Sequence, residues 1–283
     1  MVQSELYFDN VVVLGASGGI GGLFKRKLET ACTSVAGFDL QGGKGVTEAD
    51  VCNPSEEMLL RLSFADLVII CLPDPLSAHF GKQIRSLAGP ESLAVRCCSV
   101  IGQENGSDGV VAINLLFAPD LGFTGRPVLL EDQAETDKIS RLKKMLESWG
   151  ANVVMVSRSA HDEIVAHAQA AVHSLVLAYA LNLARSTRPF KRCPSPPPSK
   201  TLTMLAARIL QSDPNTYWSI QHDNPFAAAA RKSLIDALLE IDSAARQNNR
   251  TAFGDLWSEA SKGFGSDLPA FASQCGNIFR LIK

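Results

Sequence analysis

The sequence predicts an α/β fold, with an N-terminal Rossmann-type doubly wound parallel sheet over residues 1–157 and an all-helical dimerisation domain over residues 158–283. Three observations lead there. Short apolar runs alternate with helical patterns through the first half, as in a parallel sheet covered on both faces. The first of these runs passes directly into a glycine-rich turn. Around residue 158 the strand signals nearly stop and long helical patterns begin.

Residues 10–14 form the first strand and residues 19–30 the first helix. A second strand covers 34–39, and residues 55–63 are helical with Met58, Leu59 and Leu62 on one face. Residues 67–72 have no polar alternation, as expected of a strand buried on both faces. A helix over 76–87 leads to a strand over 93–98, with later strands over 110–114, 127–131 and 152–156 and an amphipathic helix over 136–149. The helical part follows as segments 160–186, 201–212, 215–224, 225–247 and 250–264. The run Cys193-Pro194-Ser195-Pro196-Pro197-Pro198-Ser199 breaks helix and strand alike and reads as an exposed connection, and Arg188, Lys191 and Arg192 beside it read as solvated surface.

At 283 residues the chain has room for two domains. Hydrophobic residues at 46% against charged residues at 20% describe a folded protein. A net charge of -2 offers no basic excess for nucleic acid or an anionic membrane. The N-terminus lacks a positive flank, and its first apolar run is too short for a signal segment. The apolar stretch 164–183 is interrupted by His167, Gln169, His173 and Asn182, so it reads as a buried helix and not a membrane span. These features make a cytoplasmic location the expectation. Seven cysteines without a CxxC pair argue against a disulfide framework and a zinc site. Adjacent Cys97 and Cys98 read as reduced core thiols, with a redox switch as the alternative. No metal is expected: His167 and His173 lie six residues apart, not at the four-residue spacing of a helical metal pair.

The glycine turn reads Gly15-Ala16-Ser17-Gly18-Gly19-Ile20-Gly21. Gly15 is placed for a tight turn, Gly18 for close approach of a pyrophosphate, and Gly21 for packing of helix on strand. The helix start then offers free N–H groups and a positive dipole end to the anion. Asp39 ends the second strand, where a carboxylate accepts ribose hydroxyls and repels a 2′-phosphate, so the expected cofactor is NAD. Leu72 and Pro73, where the strand over 67–72 ends in a proline-containing loop, are expected on the nicotinamide side.

Four further segments resemble the prephenate and arogenate dehydrogenase family over about residues 10–225. Cys97-Cys98-Ser99-Val100 is similar to its strand-end serine motif, and Ile113-Asn114-Leu115-Leu116-Phe117-Ala118-Pro119-Asp120 to its His-Pro-Met-Phe-Gly-Pro segment. His161-Asp162 followed by Gln169 and His173 resembles the opening of its long first C-terminal helix, and Ala207-Arg208-Ile209-Leu210-Gln211-Ser212-Asp213 a segment whose arginine grips a substrate carboxylate. The resemblance implies oxidative decarboxylation of a cyclohexadiene bearing two carboxylates. It implies that Ser99 lies near the substituted ring carbon, that His173 holds substrate from the helical side and that Arg208 pairs with a carboxylate. His161 reads as a structural cap at a helix start.

The departure is Asn114, which stands where the family has its catalytic histidine. Imidazole takes a proton near neutral pH and an amide does not. In 4-amino-4-deoxyprephenate an amine replaces the ring hydroxyl, and its lone pair can enter the ring as hydride leaves. That substrate is the leading expectation, with Asn114 accepting an N–H. Alternatives are prephenate or arogenate as substrate, an inactive cofactor-binding regulator, and an imine or ketone reductase of similar layout. The apolar segments 164–183 and 227–239 lead to the expectation of a homodimer through the helical part.

Overall fold

The computed structural model describes residues 7–102, 109–133, 136–186 and 195–282. Cys193, Pro194 and the Arg188, Lys191 and Arg192 cluster lie outside the described residues. The chain divides into two compact units, one of Met1–Ile164 with Asp223–Pro225 and one of Val165–His222 with Phe226–Lys283.

The first unit runs β1 (Phe8–Leu14), α1 (Gly19–Leu28), β2 (Cys32–Asp39), β3 (Thr47–Glu48), α2 (Glu56–Ser63), β4 (Leu67–Ile70), α3 (Asp74–Leu87), β5 (Leu93–Cys97), β6 (Val110–Leu115), β7 (Pro127–Glu131), α4 (Asp137–Ser148), β8 (Asn152–Val156) and the helix α5 (Arg158–Val165). The eight strands form one sheet in the order β3-β2-β1-β4-β5-β6-β7-β8. Their pairing is parallel except at β6 and β7, which are antiparallel. The reason is local. A parallel return needs a crossover of a dozen or more residues, usually helical. The link from β6 to β7 carries only the short 3₁₀ turn Pro119–Leu121, so the chain folds back. β3, with two residues, is too short to leave a periodic signal in the sequence.

The two sheet faces bury separate cores. On one, Phe24 of α1 meets Phe123 at 5.5 Å and Trp149 at 6.2 Å between ring centroids, over Leu142 and Met145 of α4. On the other, Met58, Leu62 and Ile84 of α2 and α3 cover Val12, Leu14, Val68 and Ile70. Leu67–Ile70 is wholly inaccessible, which is why its sequence shows no alternation. Each such side chain contributes about 1.5–3 kcal/mol on burial. Strand order reverses between β1 and β4, and the loops after β1, β2, β4 and β5 emerge at one edge. This is the switch point where open α/β sheets take their ligands.

The first unit extends past residue 157 into α5, because the first turns of that helix bury His161 and Asp162 with the sheet residues. From Arg158 to Ala184 the helix is continuous, but Ala166–Ala171 is a π-helical turn before α6 (Val172–Ala184). The wider turn shifts the face on which His173 lies from the one that regular α-helical spacing gives it.

The second unit continues with α7 (Pro197–Leu210), α8 (Pro214–His222), α9 (Ala227–Arg246), α10 (Arg250–Phe264) and α11 (Leu268–Leu281). α11 lies beyond the last helix expected from the sequence. Gln221 serves the π turn: its Nε2 donates to the Ala170 carbonyl at 2.8 Å, and Arg231 donates to both the backbone and side-chain oxygens of Gln221. The buried residues here are mainly small, among them Ala166, Ala170, Ala206, Ala227 and Ala230. By length and composition the helix Arg158–Ala184, at 27 residues and mean hydropathy 1.5, is long and apolar enough to cross a membrane. Only 22% of its apolar stretch is buried in the single chain, which differs from the buried helix the sequence suggested.

Candidate active site

The glycine turn is built by contacts that exclude side chains. Gly15 has φ 77°, and a Cβ on it would strike the Cys71 carbonyl oxygen after β4. A Cβ on Gly21 would strike the Gly15 carbonyl, so α1 can start this close to β1 only with glycine there. Ala16 is buried, Ser17, Gly18 and Gly19 are exposed, and Ile20 packs partly against the core. Asp39 fixes the turn: its carboxylate accepts from the Ser17 amide and the Gln41 amide, each at 3.0 Å, while Ser17 Oγ donates to the Gln41 carbonyl at 2.6 Å. Beside it a cavity of about 540 Å³ is walled by Ser17, Gly18, Gly19, Arg26, Gly43 and Lys44, among others. Leu72 and Pro73 follow β4 across the switch point, Leu72 half-buried and Pro73 exposed.

A second cluster lies at the ends of β5 and β6. Cys97 pairs with Ile113 across the strands, which brings Ser99 and Asn114 together, and Asn114 Nδ2 donates to the Ser99 carbonyl at 3.4 Å. Asn114 is 4% exposed. Behind it stands His161, 1% exposed, with Nε2 at 3.3 Å from Asn114 Nδ2 and Nδ1 at 2.8 Å from Asp162. The partners fix the directions. A carboxylate only accepts, so His161 Nδ1 carries a proton. The Ser99 carbonyl also only accepts, so the Asn114 amide nitrogen is the group that faces it and His161, with Nε2 as its acceptor, which leaves Oδ1 as the acceptor outside this network.

Asp162 also accepts from the Ile101 and Gly102 amides, each at 2.9 Å. Burial raises its carboxyl, but the bonds from His161 and the two amides outweigh this and hold it below the usual carboxylate range. His161 is thus no helix cap, as the sequence suggested, but the centre of an Asn114–His161–Asp162 chain.

On the other side of Ser99, its amide N–H points between the carboxylate oxygens of Asp74 at 3.4 and 3.3 Å. Burial pushes the Asp74 carboxyl up to about 6, against the opposing pull of the Ser99 amide and of Arg96.

The remaining expected residues lie in the second unit. His173 sits on α6 with its ring 4.8 Å from Tyr217, its Nδ1 buried without a partner, and its pKa lowered by burial. Gln169 Oε1, in the π turn, is likewise buried and unpartnered. Arg208 is on the exposed side of α7. Of the thiols, Cys97 lies 3.5 Å from Cys71. The hydrogen bond to Cys71 and burial raise Cys97, and burial pushes Cys98 up to about 12, so both are protonated core thiols.

No family model matches the chain. The chain is 30% identical over 289 residues to a 4-amino-4-deoxyprephenate dehydrogenase of Streptomyces pristinaespiralis, covering 97% of this chain and 98% of that protein. The chain belongs to the prephenate dehydrogenase family. A probable arogenate/prephenate dehydrogenase of Methanocaldococcus jannaschii is 22% identical and covers 91% of this chain, which spans 61% of that longer protein. Among solved structures, prephenate dehydrogenase from Aquifex aeolicus in complex with hydroxyphenyl propionate and NAD+ superposes with a TM-score of 0.73 at 16% identity, over 90% of this chain and 96% of the other. Synechocystis arogenate dehydrogenase gives 0.63 at 13% identity, over 90% and 98%.

Within this member of the prephenate dehydrogenase family, two contacts were not expected from the sequence: Asp74 at the Ser99 amide and His161 at Asn114. Asp74 left one local sign, a carboxylate between two prolines directly after a buried strand. For His161 the sign was the His161-Asp162 segment itself, while its partner Asn114, 47 residues away, left no local trace.

Proposed function

We propose that the chain is an NAD-dependent dehydrogenase that converts 4-amino-4-deoxyprephenate to 4-aminophenylpyruvate by oxidative decarboxylation. The observation that carries this reading is Asn114. At the position of the family's catalytic histidine an amide turns its nitrogen to His161, and its free Oδ1 can accept from a substrate N–H. An alcohol must lose a proton to become a carbonyl. A neutral amine needs no base in that step, because its lone pair enters the ring. The named relative from Streptomyces pristinaespiralis supports the same substrate.

The residues present fit the cofactor. Gly18 and Gly19 are exposed at the start of α1, Arg26 and Lys44 line the cavity beside them, and Asp39 meets a ribose diol better than a 2′-phosphate. When bound, NAD accepts the hydride released from the ring carbon. Ser99 and Asn114 hold the substituted end of the ring, while His173 and Arg208 serve the carboxylates of the substrate. The working form in this reading is a cytoplasmic homodimer joined through the helical unit.

The test is a steady-state assay with prephenate, arogenate and 4-amino-4-deoxyprephenate, each with NAD and NADP. The amino substrate with NAD should give the highest kcat/KM. A preference for prephenate or arogenate would return the chain to the tyrosine-pathway activities of its relatives and remove the amino-substrate reading.

A further inference from the structure

We propose that Asp74 reads the ring substituent: its carboxylate receives the ammonium of the amino substrate beside Ser99 and takes one proton from it. This rests on the reading of the substrate just given and adds the residue that selects it.

The geometry comes from three neighbouring loops. Asp74 opens α3 directly after β4, on the side of the switch point assigned to the nicotinamide. The Ser99 backbone bridges it to Asn114, giving its N–H to Asp74 and accepting from Asn114 at its carbonyl. A ring carbon held at Ser99 therefore has an anionic oxygen on one side and an amide on the other. The Asp74 carboxylate is poorly served as it stands. Both oxygens share one amide donor at 3.3–3.4 Å, long for a charge-assisted bond, and no arginine or lysine among the described residues forms an ion pair with it.

The titratable groups around it are Arg96 of β5, His161 of α5 and Asp223, and Asp223 adds to the burial that raises its pKa. A cation arriving at Asp74 offsets that cost, whereas a neutral hydroxyl offers a single weaker hydrogen bond. The proton step balances simply. One N–H bond of the ammonium breaks, its electron pair stays on nitrogen, and an O–H bond forms on Asp74. The freed lone pair is the one that the reaction needs, and the proton passes to solvent after turnover.

The experiment compares wild type with Asp74→Asn and Asp74→Glu. The readout is the ratio of kcat/KM for 4-amino-4-deoxyprephenate to that for prephenate, with NAD affinity as the control for folding. Asparagine keeps an oxygen for the Ser99 amide, and glutamate keeps the charge. Asp74→Asn should lower the ratio roughly 30-fold or more, as expected for loss of a desolvated ion pair, and Asp74→Glu should recover part of it. A fall short of tenfold, or a larger loss on prephenate, overturns the proposal while a wild-type preference for the amino substrate keeps the reading above intact. A wild type that turns over only prephenate overturns both.

Discussion

At the scale of single residues, chemistry turns on what stands at position 114. Asn114→His should raise kcat/KM on prephenate and help the amino substrate little or harm it. General-base catalysis contributes about 10²–10⁴-fold where a proton must leave in the transition state. The gain should fall below that range, because the new imidazole would meet the acceptor nitrogen of His161 and compete for the Ser99 carbonyl. Steady-state kinetics of the variant on both substrates decide it, and an equal rise on both would show that position 114 does not select between them. How far such residues were legible follows from what specifies them. Gly15, Gly18, Gly21 and Asp39 share one strand-turn-helix-strand unit, so spacing alone placed them. The Asn114–His161 contact is made by tertiary folding between distant segments and leaves no periodic trace. Asp74 depends on Ser99, 25 residues on, for its meaning.

At the scale of elements, α5 does more than begin the helical region. Its second turn supplies His161 and Asp162, and Asp162 ties the helix to the loop after β5 through Ile101 and Gly102. Asp162→Asn turns an acceptor toward three donors into a group that is half donor. It should cost about 1–3 kcal/mol of stability and lower kcat/KM, since His161 then loses its fixed tautomer. The pH dependence has a definite sign. The Asp162 carboxyl lies below its ordinary value of 3.8 in the folded protein, so its stabilisation is present above that pH and is lost as pH falls through the folded value. Denaturant unfolding of wild type and variant from pH 7 downward should therefore show a constant gap that narrows only below about pH 4. A gap that grows on acidification would contradict this network. The helix itself was legible from its apolar run, but its π turn was not, because the turn depends on Gln221 reaching Ala170 from another helix. The reversed β7 was hidden for a similar reason: strand patterns carry no direction.

At the scale of the whole molecule, the second unit distributes its apolar residues in an unusual way. Alanines fill its interior, while Leu238, Leu239, Trp257 and Leu281 are 63%, 59%, 70% and 84% exposed in the single chain. Soluble monomers rarely leave contiguous apolar patches beyond a few hundred Å². Obligate dimers cover such surface with a second copy, in interfaces that resemble a core cut in half. The chain should accordingly run as a dimer in light scattering at micromolar concentration, with no need of ligand. Leu239→Lys, on exposed α9, should shift it toward monomer and lower its melting temperature, because apolar area is uncovered and a charge is placed in the seam. Nicotinamide cofactor binding offers an independent check. The glycine turn and Asp39 belong wholly to the first unit, so NAD affinity should change little in that variant even as turnover falls. A wild type that is monomeric at micromolar concentration would reject the dimer. If such a monomer also bound to phospholipid vesicles, the exposed helix Arg158–Ala184 would have to be explained by contact with lipid instead of a second subunit.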